Sequence, residues 1–357
     1  MNFFDLGVIA LASHRLSSWM NRVVCFALIF SSIYHNYAHA QQTEPPTGVT
    51  THNRVREDGT ALSLEGSNLH LDQPLVGEKA EFPAFSREMI QVGWRSNDPI
   101  ELYVIRPRGV QKPRPILYLY SYPSETNRFL DNRYCERITK GGYAAIGFVS
   151  ALTGQRYHDR PMREWFVSEM QEALTNSVHD VQEILNYLSS RGDFDLTEVG
   201  MFGQGSGGAI AILAAAADSR IHALDLLEPW GDWPDWLAKS TLVPEEERPS
   251  YLKPEFLARL APLDPVHWLP ELKTQAIRLQ FVTDNSVTPL VVRERLASVA
   301  PATAHVVRYQ DTRELYQATG GGGLFDWIKG ELKYPPTALP QSAHSAGTVS
   351  AGERGDP

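Results

Sequence analysis

The sequence predicts an α/β fold: a doubly wound, mostly parallel sheet with helices on both faces. Three observations carry this expectation. From about residue 86 to residue 333, short apolar runs of strand length alternate with longer stretches of helical periodicity. The first two strand-like runs are joined by a short turn rather than a helix, which predicts an antiparallel edge on the N-terminal side. A Trp- and Pro-rich stretch, 228–272, then breaks the alternation and predicts a helical insertion.

In chain order, residues 87–94 and 99–106 ("PIELYVIR") read as the antiparallel pair. "PILYLYSY", 115–122, is apolar enough for a buried strand, and 128–140 has helical spacing. "YAAIGFVSA", 143–151, is a second buried strand. "EMQEALTNSVHDVQEILNYLSSR", 169–191, carries apolar residues at helical intervals and stops at Gly192, a C-terminal helix signal. "EVGMF", 198–202, is a strand that runs into a Gly-rich corner, and 207–217 is an Ala-rich helix. Strands at 221–227, 276–284 and 304–309 follow, with helices at 290–299 and 324–332. The insertion falls after a strand end, where doubly wound sheets bind ligands.

The two ends read differently. Residues 20–40, "MNRVVCFALIFSSIYHNYAHA", place Arg22 before an apolar run and close on Ala38-His39-Ala40. That is signal-peptide grammar, with Met20 as an alternative start, so residues 1–40 are expected to be removed and the chain exported to a periplasm or beyond the cell. The apolar run is too short for a membrane span, and no membrane association is expected after cleavage. Residues 41–85 read as a flexible lead-in and 334–357 as a disordered tail. The remaining 86–333 forms the expected folded domain.

The net charge of −9 argues against nucleic acid as a main partner. Removing Cys25 with the leader leaves Cys135 alone, so no internal disulfide can form. Cys135 reads as a small core residue. No CxxC, HExxH or Walker loop occurs, and neither metal nor cofactor is expected.

The corner "VGMFGQGSGGA", 199–209, carries the chemistry question. A strand, a Gly-x-x-x-Gly turn and a helix in such a sheet resemble the nucleophile elbow of the α/β-hydrolase fold family. The resemblance spans about 86–333 and is closest to the dienelactone hydrolase and prolyl-oligopeptidase-like branch. It implies an esterase or peptidase built on a serine, an acid and a histidine. Two registers fit the corner. With Ser206 as nucleophile the pattern is Q-x-S-x-G. With Gly203 and Gly207 as the flanking glycines, Gly205 takes the nucleophile slot. The strand pattern favours the second. Ser206 is then the following residue, its N–H facing the oxyanion position and its hydroxyl pointing elsewhere. A glycine there cannot attack a carbonyl.

The other slots bear on the same question. "DNSVTP", 284–289, puts Asp284 in the acid slot, although an Asp capping the helix near Pro289 reads equally well. After the last strand, where the resemblance implies a histidine, "RYQDTRELYQATGGGG" contains none. Arg313 stands in that loop and cannot act as a base. Where the oxyanion loop commonly carries His-Gly, this chain has Tyr120 and Ser121, followed by the expected Tyr122-Pro123.

The leading expectation is a hydrolase-like chain that has lost its triad and binds a small molecule or peptide in the old crevice. Its expected lining is Tyr120, Ser121, Tyr122, Ser206, Trp230 and Trp233. One alternative is an active hydrolase whose site has moved. "GQRYHDRPMREWF", 154–166, borders the same crevice and offers His158 as a base for Ser206, Ser121 or Ser124. The other is a scaffold or dimerisation module with the crevice filled. Packing between insertion and sheet explains "LLEPWGDWPDW", 226–236, as readily as an aromatic pocket does. A glycosidase-type pair, Glu228 and Asp232, is disfavoured by the fold. His179-Asp180 lies mid-helix and reads as structural.

Overall fold

The computed structural model describes residues 57–58, 60–65, 67, 71–95, 98–123, 126–152 and 166–332, with 321 and 322 as backbone only. The expected leader (1–40), the tail (334–357), Ser124 and His158 lie outside the described residues.

The strands are β1 (Leu75–Glu81), β2 (Phe85–Val92), β3 (Ile100–Pro107), β4 (Pro115–Leu119), β5 (Ala144–Phe148), β6 (Val199–Gln204), β7 (Ile221–Leu227), β8 (Ala276–Val282) and β9 (His305–Tyr309). They form a single open sheet in the order β1-β2-β3-β5-β4-β6-β7-β8-β9. β1, β2, β3 and β5 pair antiparallel, and every pair from β5 through β4 to β9 is parallel. The order reverses at β4, because β5 lies on one side of it and β6 on the other. That reversal is the switch point, and its crevice opens at the carboxyl ends of the strands.

Strand parity divides the core into two layers. Leu117 and Leu119 of β4 face one layer, with Ile146, Met201 and Leu224 from neighbouring strands. Ile116 and Tyr118 face the other, with Ala145, Phe202 and Ala223. The first layer is covered by α2 (Met170–Arg191) and α3 (Ser206–Ala217), and the second by α1 (Asn132–Thr139) and α10 (Asp326–Glu331). Cys135 of α1 is buried there, its thiol donating to the Phe129 carbonyl at 3.1 Å. Between β7 and β8 the chain is helical: α4 (Trp233–Lys239), α5 (Arg248–Tyr251), α6 (Pro254–Leu260) and α7 (Pro265–Trp268). This is the expected insertion.

Two elements depart from expectation. The lead-in expected over 41–85 contains β1. Its residues are almost all exposed, so no alternation of apolar side chains marks it. It exists as an edge strand held by backbone pairing to β2. The segment after β9, read as a loop, forms α9 (Thr312–Thr319) beyond the strand end; α8 (Leu290–Val299) precedes β9. Asp311 caps α9 by accepting the Glu314 N–H at 2.8 Å. The Asp-x-x-Glu spacing of 311–314 is the sequence signal for that start.

The segment before β1 is also tied down. Arg95 donates to both oxygens of Glu57, at 2.5 Å each, and to Asp180 Oδ1 at 2.5 Å. His179 meets Glu57 through Nδ1 and the Ala61 carbonyl through Nε2. Gln182 holds the backbone of Leu62 and Leu64. His179-Asp180 therefore fastens residues 57–64 to α2, the structural role its place in the helix implied.

Candidate functional site

The strand ends that make the corner lie level. Leu119 pairs with Gly203 and Gln204 with Leu227, so Ser121, Gly205 and Glu228 leave the sheet at one height. Gly205 is the apex, with φ 56° and ψ −117°. That backbone region is costly for a residue with a side chain. The turn is compressed as well: a Cβ on Gly203 would stand 2.5 Å from the Gly207 carbonyl oxygen. Hydrogen bonds fix the apex from β7. Gly205 donates to the Leu227 carbonyl at 3.0 Å and accepts from the Trp230 N–H at 3.1 Å.

The space above Gly205 is occupied. A Cβ there would collide with Ser121 Oγ and lie 2.8 Å from Ser121 Cβ and 3.1 Å from Trp230 Nε1. That indole nitrogen is buried and has no hydrogen-bond partner among the described residues. Trp230 stacks between Phe166, at 6.1 Å, and Trp236, at 4.6 Å, and Phe166 packs on Tyr122 at 4.5 Å. An aromatic row thus covers the corner.

Ser206 begins α3 and is fully buried. Its Oγ accepts the backbone N–H of Tyr122 at 2.9 Å. The hydroxyl is therefore directed at the loop after β4 and is held there as an acceptor.

No protein-family model and no curated protein matches the chain. Solved structures do. It resembles acetyl xylan esterase 1 from Thermoanaerobacterium sp. JW/SL YS485, with TM-score 0.57 and 12% identity over 73% of this chain and 89% of that one. It resembles the acetyl xylan esterase from Paenibacillus sp. R4, with TM-score 0.54 and 16% identity over 71% and 85%. The Pyrococcus horikoshii acylaminoacyl peptidase matches with TM-score 0.51 and 12% identity over 71% of this chain and 41% of that one.

The chain has the α/β-hydrolase fold.

In an α/β-hydrolase the oxyanion is held by the N–H after the nucleophile and by an N–H from the loop after the third strand of the common sheet. β4 is that strand here, because β1 adds one at the edge. The Tyr122 N–H comes from that loop, and the Ser206 hydroxyl already occupies it. Asp284 lies exposed in the turn after β8. It caps no helix: α8 starts at Leu290 with Pro289 as N-cap and no side-chain cap, and Asn285 accepts the Val287 N–H. Arg313 is exposed on α9.

The described histidines lie elsewhere. His222, second in β7, and His305, first in β9, lie at the far end of the sheet. His179 is bonded to Glu57 and Ala61, and His267 to the Ala261 carbonyl.

The expected pocket lining separates by parity. Tyr120 faces the second layer, away from Trp230. Its hydroxyl meets that of Tyr134, and Arg128 lies 3.5 Å over its ring. Tyr120 is a core residue because it continues the alternation of Ile116 and Tyr118. Trp230, Trp233 and Trp236 are among the largest fully buried side chains, and Trp233 donates to the Leu263 carbonyl at 2.9 Å. Ser121, Tyr122 and the Trp230 edge stay beside the apex.

One group at the crevice stood in the sequence only as half of a disfavoured glycosidase-type pair. Glu228, with φ 52°, is buried at the end of β7. Oε1 accepts the Val282 N–H, and Oε2 has no partner among the described residues. Burial, only partly offset by the Val282 N–H and Arg293, pushes its carboxyl up to about 7. No contact joins it to Asp232, whose N–H is held by Asp264. A left-handed glutamate leaves no sequence signature.

Proposed function

We propose that this chain is an exported α/β-hydrolase-fold protein that no longer runs serine-hydrolase chemistry and binds a small molecule or peptide above the corner. The supporting observation is the apex. Gly205 holds the strained position at which a nucleophile would stand, and Ser121 and Trp230 fill the space that its side chain would need. The nucleophile and the base act as a unit, so loss of either removes several orders of magnitude in rate. Ser206 does not replace the nucleophile: its hydroxyl oxygen is turned to the Tyr122 N–H and meets no histidine among the described residues.

The donor left at the corner favours binding. The Trp230 indole N–H is buried without an acceptor among the described residues, and an unsatisfied buried donor is costly unless a ligand oxygen meets it. Ser121 Oγ stands beside it, already donating to the Tyr122 carbonyl at 3.3 Å. A carbonyl or carboxylate oxygen is the matching group. The buried tryptophans favour a second reading, a scaffold whose crevice is filled by its own side chains.

Turnover and binding test both readings. Hydrolysis of p-nitrophenyl acetate by the chain and by Ser206→Ala is expected to match buffer alone. Turnover that disappears in the Ser206→Ala variant overturns the proposal. Acetylated xylo-oligosaccharides and N-acyl dipeptides serve as binding probes. A probe-dependent rise in melting temperature that is lost in Trp230→Phe supports the binding reading. No rise with any probe favours the scaffold.

A further inference from the structure

A cavity of about 690 Å³ lies on the opposite side of the sheet ends from the crevice, beside the start of β5. Its apolar wall is Ala84, Pro107 and Val110. Facing that wall are Arg108 and, along α1 and the turn after it, Arg133, Arg137 and Lys140, with Glu136 as the acid of the lining.

The arrangement of these cations is costly for the protein alone. Residues 133, 137 and 140 follow i, i+4, i+7 spacing and share one face, where like charges repel. Arg133 sits in the first turn of α1, behind the Asp131 cap, where the helix dipole disfavours a cation. Arg137 and Lys140 lie at the other end, where the dipole favours them, so dipole balance accounts for two of the three. Among the described residues, Arg133, Arg137 and Lys140 form no ion pair, not even with Glu136. Arg108 is paired with Glu81 at 2.8 Å. The chain as a whole is acidic, at −9, so this patch runs against the overall field.

We propose that this cavity binds a linear anion carrying two or three phosphate or carboxylate groups. From Arg133 to the C-cap Lys140 the cation row spans the length of α1, roughly 10 Å, which suits several anionic groups rather than one. Arginine forks pair with either oxyanion in two-point contacts. The wall of Ala84, Pro107 and Val110 takes the ligand's uncharged face. The site is independent of the crevice and of any reading of Gly205.

Calorimetric titration of the full chain with tripolyphosphate, and separately with tri-galacturonate, tests this. At least one probe is expected to bind, with affinity falling as salt is raised. The Arg133→Glu/Arg137→Glu variant, with its melting temperature checked, is expected to weaken binding on the order of tenfold or more. Arg259→Glu, an exposed arginine on α6, is expected to leave binding unchanged. Which probe binds more tightly separates phosphate from carboxylate as the group recognised. The proposal is overturned if neither probe binds at low salt, if the double variant binds as well as the parent, or if Arg259→Glu weakens binding as much.

Discussion

A serine at position 205 has to share its space with Ser121 and Trp230. The backbone there is left-handed and strained for any side chain, and the incoming Cβ lies 2.8 Å from that of Ser121. Gly205→Ser is therefore expected to lose roughly 2–5 kcal/mol of stability in urea unfolding, strain and overpacking together. Adding Ser121→Gly is expected to recover part of the loss, and full additivity of the two changes would contradict the collision. Gly205 was legible as the apex because the glycine spacing and the preceding strand set the register. The obstruction was not, since Ser121 and Trp230 reach the apex from other strand ends. Glu228 gives a second residue-scale prediction. Its carboxyl titrates near 4.5 unfolded and about 7 folded. The folded chain therefore keeps a proton that the unfolded chain releases, and the stability this supplies is full below about pH 4.5 and lost as pH rises through 7. Glu228→Gln is expected to be more stable than the parent by up to about 3 kcal/mol near pH 8, with little difference near pH 4. A gap that does not change with pH would contradict the shift.

At the scale of elements, legibility followed burial. Strands β4 and β5 are buried throughout and β6 up to Gly203, and their apolar runs marked them without help from their neighbours. Edge strand β1 is exposed on both faces and owes its existence to backbone pairing, which composition does not record. Helix α9 had a readable start in the Asp311–Glu314 spacing. The parity of β4 was readable too, and it places Tyr120 opposite Trp230. The fastening of residues 57–64 was not, because Glu57 meets Arg95 and His179 from distant parts of the chain. Arg95 holds that fastening together and neutralises the buried Asp180, which also accepts the Trp94 indole N–H at 2.9 Å. Arg95→Ala removes the cation that meets this buried carboxylate at 2.5 Å and is expected to cost roughly 3–5 kcal/mol. Amide exchange at residues 57–64 should accelerate well beyond the global change. Unaltered exchange there would show that the segment is held by something else.

For the whole molecule, the open sheet sets where chemistry can occur. Strand order reverses at β4, and the ends of β4, β6 and β7 bring Ser121, Gly205 and Glu228 to one level. The place that a hydrolase reserves for attack is thus present and correctly built, with α3 packed tightly behind it. What differs is its content: a glycine at the apex, a following serine committed to the Tyr122 N–H, and an aromatic row above. On the proposed reading the fold and the reacting groups are separable, and this chain keeps the first. Treatment of the full chain with a fluorophosphonate, followed by intact-mass and peptide analysis, tests that claim directly. An activated serine anywhere in the chain would take one phosphonyl group per molecule. The account predicts unmodified protein under conditions that label a known serine esterase to completion. A stoichiometric adduct on Ser206, or on any other serine, would contradict it.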